Sequence, residues 1–194
     1  MPFVAKDTET QQRIDITQYA NPRQELRAER LSCQICGERM IVRQGLVFRP
    51  HFAHTKACPI PYAAHPESPE HLAVKAHVSA WLKDQPGFEE ALIELEVPIH
   101  ARKRIADIMV TFPQGHRCAV EIQLAAITPA DLEARTKDYL DDGIDVIWTL
   151  GKDAARGAGN AAWCNQVLGC YLQLGFTHDT PVTELARLHV GAAF

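Results

Sequence analysis

Arg104-Ile-Ala-Asp107-Ile-Met-Val-Thr-Phe112 and Arg117-Cys-Ala-Val-Glu121-Ile-Gln123-Leu124 flank the short polar stretch Pro113-Gln114-Gly115. In the first segment Ala106, Ile108, Val110 and Phe112 fall on one side and Asp107 on the other. In the second, Cys118, Val120, Ile122 and Leu124 alternate with Glu121 and Gln123. A period of two is the mark of a half-buried strand, and a short loop carrying a glycine between two such strands predicts a hairpin. If the hairpin is symmetric about Gln114, Ile108 faces Val120, Ala106 faces Ile122, and Asp107 faces Glu121 with β-carbons roughly 5 Å apart. One register therefore gives a clean apolar face and a pair of opposed carboxylates. Like charges so placed repel unless something neutralises them, and a hard divalent cation with oxygen ligands suits the task.

Working outward, Ser68-Pro69 supplies an N-cap and a first-turn proline for a helix that stops before Gln85-Pro86-Gly87. A strand near Ala91–Val97 leads into the hairpin. Glu94 and Glu96 alternate there with Ile93, Leu95 and Val97 and read as its polar face. Thr128-Pro129 opens a second helix that Gly143 ends, and Val146-Ile-Trp-Thr-Leu150 is a continuous apolar run, as expected of a strand buried on both faces. The order from Ser68 is helix, strand, strand, strand, helix, strand, an α/β core over residues 66–150. Before it, residues 1–62 hold a short strand or two, a polar helix beginning near Asn21-Pro22, and a Cys/His/Gly-rich module. Tyr62 to Pro66 reads as a linker. Residues 151–194 form a C-terminal extension with a helix expected over Ala161–Leu174.

The Cys/His-rich module carries a second constellation. Cys33-Gln-Ile-Cys36-Gly37 has the shape of half a zinc knuckle, and His51-Phe-Ala-His54 and Cys58 follow. Two ligand pairs joined by a hairpin (Met40–Arg43, then Gly45–Phe48) would close a tetrahedral Zn²⁺ ribbon. Four ligands suffice; Cys33, Cys36, His54 and Cys58 are the favoured set and His51 is the competitor. Such a closed site is structural, holding a segment with little core of its own. Cys118, Cys164 and Cys170 lie in apolar, periodic contexts and read as core.

The chain has 194 residues, is 46% hydrophobic and carries a net charge of −4. Its apolar runs fall short of about 18 residues, so no membrane span is expected. The N-terminus lacks a basic start followed by an apolar core, so a signal peptide is not expected and the protein reads as cytoplasmic. Charge is uneven: residues 21–62 hold seven Lys/Arg against three Glu, a surplus of four positive charges, leaving the remainder eight negative. A basic module beside acidic residues suits phosphate binding next to metal-holding carboxylates, and solvated surface charge is the plainer alternative.

Three passages together resemble the competence protein CoiA family: Cys33–Cys36 with His51–His54; Glu67-Ser-Pro-Glu-His71-Leu-Ala-Val-Lys75; and Ile105-Ala-Asp107 with Val120-Glu-Ile-Gln123. Arg135-x-x-x-Tyr139, Gly143 and Val146–Leu150 continue the pattern, so the resemblance spans roughly residues 1–150. It implies a restriction-endonuclease-like PD-(D/E)XK core, whose αβββαβ order matches the reading above. It also implies a role in natural transformation and in recombination of incoming single-stranded DNA. By resemblance, Asp107 and Glu121 would hold catalytic Mg²⁺ or Mn²⁺, and Gln123 stands where many relatives of the superfamily carry lysine. Glutamine cannot supply that positive charge. Lys75, one helical turn beyond His71, is the expected substitute, with Glu70 or His71 as a further metal ligand; a solvated helix surface is the alternative for Lys75. Arg135 and Tyr139 share a helix face and either hold a phosphate or pack structurally, while Arg43 and Arg49 are expected to contact the DNA backbone. The expected partner is single-stranded or branched DNA, with recombination proteins as further candidates. The expected function is a metal-dependent endodeoxyribonuclease with an N-terminal zinc ribbon; the alternative is a catalytically weak accessory factor that binds DNA or a recombinase.

Overall fold

The hairpin forms in the register that parity requires. In the computed structural model, which describes residues 2–27, 30–46, 49–63, 67–156 and 159–174, strand β7 (Arg104–Thr111) pairs antiparallel with β8 (Arg117–Gln123). Ile108 lies opposite Val120 and Val110 opposite Cys118. Ala106, Ile108, Val110, Val120 and Ile122 are all buried. Burial of this apolar set fixes the register, because a slip of one residue would send every side chain to the other face.

Elements before the hairpin are β1 (Val4–Asp7), β2 (Arg13–Asp15), α1 (Pro22–Glu25), β3 (Leu31–Ser32), β4 (Met40–Arg43), β5 (His51–His54), α2 (Pro69–Lys83) and β6 (Leu92–Ile99). After it come α3 (Pro129–Leu140), β9 (Ile144–Leu150), α4 (Lys152–Arg156), α5 (Asn160–Val167) and β10 (Leu172–Gln173). From α2 to β9 the order is the helix, three strands, helix, strand read from the sequence. The caps act as expected: the Ser68 hydroxyl accepts from the His71 N–H at 3.1 Å, and Thr128 accepts from the Asp131 N–H.

The chain divides into two compact units, Met1–Ala76 with Leu95–Ile105, and His77–Glu94 with Ala106–Phe194. The first holds a three-stranded sheet in the order β2-β1-β3 and the β4–β5 ribbon. The second is built on the larger sheet, whose strands run in the order β10-β9-β8-β7-β6. Within it α3 carries the chain from β8 to β9, which run parallel with Val120 beside Ile147 and Glu121 beside Trp148. Val146, Trp148, Thr149 and Leu150 are buried, as the apolar run required.

Several local expectations are corrected. β4 pairs with β5, Met40 opposite His54 and Arg43 opposite His51, rather than with the neighbouring Gly45–Phe48 stretch. The longer pairing buries Met40 and Phe52, both fully inaccessible, which a tight hairpin at Gln44 would not bring together. Val47 and Phe48 of that expected partner strand lie outside the described residues. The helix expected from Asn21 is a single turn, and α5 ends at Val167, where Gly169 takes φ +82° and turns the chain into β10 alongside β9. Linker residues 64–66 and the tail from 175 lie outside the described residues.

Candidate functional site

In the first unit, Cys33, Cys36, His54 and Cys58 offer ligand atoms that all lie within 4.8 Å of one another. The local chain explains this. The Gly37 N–H donates to the Cys33 carbonyl at 2.9 Å and the Cys33 N–H to the Glu38 carbonyl at 2.8 Å, with Gly37 at φ +74°, closing a tight knuckle. The Ile35 N–H points at the Cys33 sulfur at 3.4 Å, and Cys36 Sγ lies 3.4 Å from His54 Nε2. Three sulfurs and one imidazole are the donor set of a closed zinc site, so the residues fit that ion. Burial pushes the Cys36 and Cys58 thiols up and the His54 imidazole down from their usual values. His51 takes no part: three residues from His54 on the same strand, it lies on the opposite face and its Nδ1 sits 2.9 Å from the Arg49 carbonyl. Arg43 and Arg49 are both exposed.

The same unit holds a buried ionic cluster. Lys75, fully inaccessible, donates to Glu67 and to Glu96, the latter at 2.7 Å. This overturns the alternative of a solvated helix surface. His71 Nδ1 lies 2.9 Å from Glu67, four residues earlier and ahead of α2, whereas Glu70 is exposed. Glu96 is also a correction. It is buried, at φ +52°, and accepts from the backbone N–H groups of Phe3 at 2.7 Å and Val4 at 3.0 Å. Burial pushes Glu96 up despite the opposing Lys75; Glu67 is half-buried, and against that burial His71 and Lys75 hold it down. Glu67 and Glu96 are the residues that sequence reasoning missed. The four-residue spacing from Glu67 through His71 to Lys75 was a visible signal; nothing local marks Glu96.

In the second unit the opposed carboxylates meet as expected. At this point side chains replace the backbone ladder. The Ile122 N–H donates to Asp107 Oδ2 at 2.9 Å, and the Asp107 N–H reaches Glu121 Oε1 at 3.3 Å. Asp107 is half-buried and Glu121 is 1% exposed. From α3, Tyr139 donates its hydroxyl to Glu121 Oε1 at 2.7 Å, and Arg135 Nη2 to Glu121 Oε2 at 2.8 Å. Arg135 Nη1 bonds the Gln123 side-chain oxygen at 3.1 Å, while Gln123 donates to the Ala125 carbonyl. The guanidinium lies 5.1 Å from the centre of the Trp148 ring, whose N–H is held by Thr136. Burial first, and then the Asp107 charge, push Glu121 up, against the pull of Arg135. Burial and Glu121 push Tyr139 up, so its proton stays on to donate. An all-oxygen pair of carboxylates, one of them buried, fits a hard divalent cation such as Mg²⁺ or Mn²⁺. Asp107, Glu121, Gln123, Arg135 and Tyr139 thus come together.

Among the described residues, no helix is long and apolar enough to cross a membrane. Residues 67–180 match the family model "Competence protein CoiA, nuclease-like domain", and residues 17–61 match "Competence protein CoiA, N-terminal domain". The chain is 36% identical over 134 residues to the competence protein CoiA of Bacillus subtilis (strain 168). That match covers 68% of this chain and 34% of the relative, so the chain spans about a third of that protein's length. No solved structure matches significantly.

Proposed function

The chain belongs to the competence protein CoiA family, and on that premise we propose that it is a metal-dependent DNA endonuclease acting in DNA uptake and recombination. The observation that carries this reading is the Asp107–Glu121 pair, set in one register, partly desolvated, and faced by Arg135 and Tyr139. The helix–three strands–helix–strand order supports a PD-(D/E)XK core. Asp107 and Glu121 would hold Mg²⁺ or Mn²⁺. When bound, that ion supplies charge at the scissile phosphate and lowers the pKa of its water. Tyr139 and Arg135 keep Glu121 oriented in a buried setting where an unpaired carboxylate would take up a proton instead.

Zn²⁺ on Cys33, Cys36, His54 and Cys58 would stabilise the first unit, where Arg43 and Arg49 would contact phosphates without reading sequence. Single-stranded or branched DNA is the proposed substrate, with recombination proteins as further partners and the cytoplasm as the site of action. A second reading, an accessory factor of weak or lost catalysis, is favoured by Gln123, an uncharged residue already bonded to Arg135 and Ala125. Incubating purified protein with single-stranded, branched and duplex DNA plus Mg²⁺ or Mn²⁺ separates the two. Cleavage that disappears in Asp107→Ala supports the enzyme; binding without cleavage on any substrate supports the accessory factor.

A further inference from the structure

We propose that Arg135 is the positive charge of the Asp107–Glu121 site and that Gln123 is the residue that positions it, so that a DNA phosphate is met from α3 rather than from β8. This rests on the nucleic-acid reading above and adds the source of the site's cation. Gln123 and Glu121 are two apart on β8 and so share a face. The two ends of the guanidinium fork bridge them, Nη1 to Gln123 at 3.1 Å and Nη2 to Glu121 at 2.8 Å. Its central carbon lies 5.1 Å over the ring of Trp148, itself fully buried and fixed by Thr136. A planar group held by two hydrogen bonds and one ring is confined in position and rotation, which a lysine ammonium would not be.

The side chain keeps 31% of its surface exposed, so the charge is anchored inside and reachable from outside. Gln123 accepts from Arg135 through its oxygen and donates through its nitrogen to Ala125, which fixes the amide orientation and aims the acceptor at the guanidinium. A lysine at position 123 would put its ammonium about where Arg135 Nη1 now sits. Two cations there would repel; one from either element would serve. The charges also balance for a phosphodiester. Asp107, Glu121 and Arg135 together carry one negative charge, and a divalent cation would turn that into one positive.

The test is the salt dependence of single-strand binding, measured by fluorescence anisotropy with a labelled oligodeoxythymidylate and Ca²⁺ as the divalent ion. Each phosphate contact contributes about 0.7 to the slope of log K against log salt for single strands. Arg135→Gln is expected to lower the slope by about that amount, and Gln123→Lys placed in the same chain is expected to restore it. Gln123→Glu, which leaves Arg135 in place but neutralises it, is expected to lower the slope equally and decides the matter if Arg135→Gln does not fold. An arginine that only braced Glu121 would change the melting temperature and leave the slope alone. An unchanged slope in Arg135→Gln and in Gln123→Glu, or no restoration by lysine, overturns the inference while leaving DNA binding intact. Failure of the unaltered protein to bind the oligonucleotide at all overturns the nucleic-acid reading itself, and this inference with it.

Discussion

Replacing Lys75 by methionine should be among the most damaging single changes in the first unit. The Lys75 side chain is 1% exposed and that of Glu96 is 6% exposed, so solvent screens their contact little. The ammonium is shared between Glu96 and Glu67, and Glu96 in turn pins the start of β1 through the N–H groups of Phe3 and Val4. Removing one partner of a buried ion pair costs about 3–5 kcal/mol, because the other charge stays behind uncompensated. For a chain of this size that lowers the melting temperature by about 6–20 °C. The pH dependence gives an independent handle. Glu96 has a folded pKa above its unfolded value, so its stability contribution is fully present below the unfolded value, near 4.5, and is lost as pH rises through the folded one. Without Lys75 the folded value rises further, so the deficit of the variant should shrink on acidification from about pH 7 to about pH 5. Adding Glu96→Gln to Lys75→Met should recover part of the loss at about pH 7. Calorimetry of the three proteins at both pH values is the assay. A melting temperature for Lys75→Met within about 2 °C of the unaltered protein at about pH 7, or a deficit that grows on acidification, would show that Lys75 does not compensate a buried Glu96 charge.

Tyr139→Phe removes a hydrogen bond to the buried Glu121 and should cost about 1.5–3 kcal/mol in urea unfolding. Atomic absorption should find one zinc per chain, lost in Cys58→Ser but retained in His51→Ala, and chelation should lower the melting temperature of the unaltered protein. Gly143→Ala should cost about 1 kcal/mol. Its φ is +68° and a β-carbon there would meet nothing within 4 Å, so the cost is one of backbone strain alone.

The hairpin was legible because a period of two and a loop of fixed length leave one register that buries Ile108, Val110 and Val120 together. Ser68-Pro69 and Thr128-Pro129 announced their helices because a capping side chain acts within its own turn. The four candidate metal ligands of the first unit were legible as a set, and strand parity settled what spacing left open: His51 and His54 occupy opposite faces of β5. What stayed hidden depends on partners far away in sequence. Glu96 fits the polar phase of its own strand, and only the backbone of Phe3 and Val4, over 90 residues earlier, together with Lys75, makes its burial tolerable. Likewise Arg135 showed its helix face in the sequence, but its bond to Gln123 needed the packing of α3 against the sheet. The early end of α5 was missed because Trp163, Leu168, Tyr171 and Leu172 suggest continued helical packing, although Gly169 stands among them.

Whether the opposed carboxylates form a divalent metal site is decided by titrating Mn²⁺ into the protein, after zinc has been supplied, by calorimetry. Saturable binding is expected, abolished in Asp107→Ala and preserved in Glu90→Ala, which removes an exposed carboxylate that is not a candidate ligand. Mn²⁺ binding of unchanged affinity and stoichiometry in Asp107→Ala would contradict such a site.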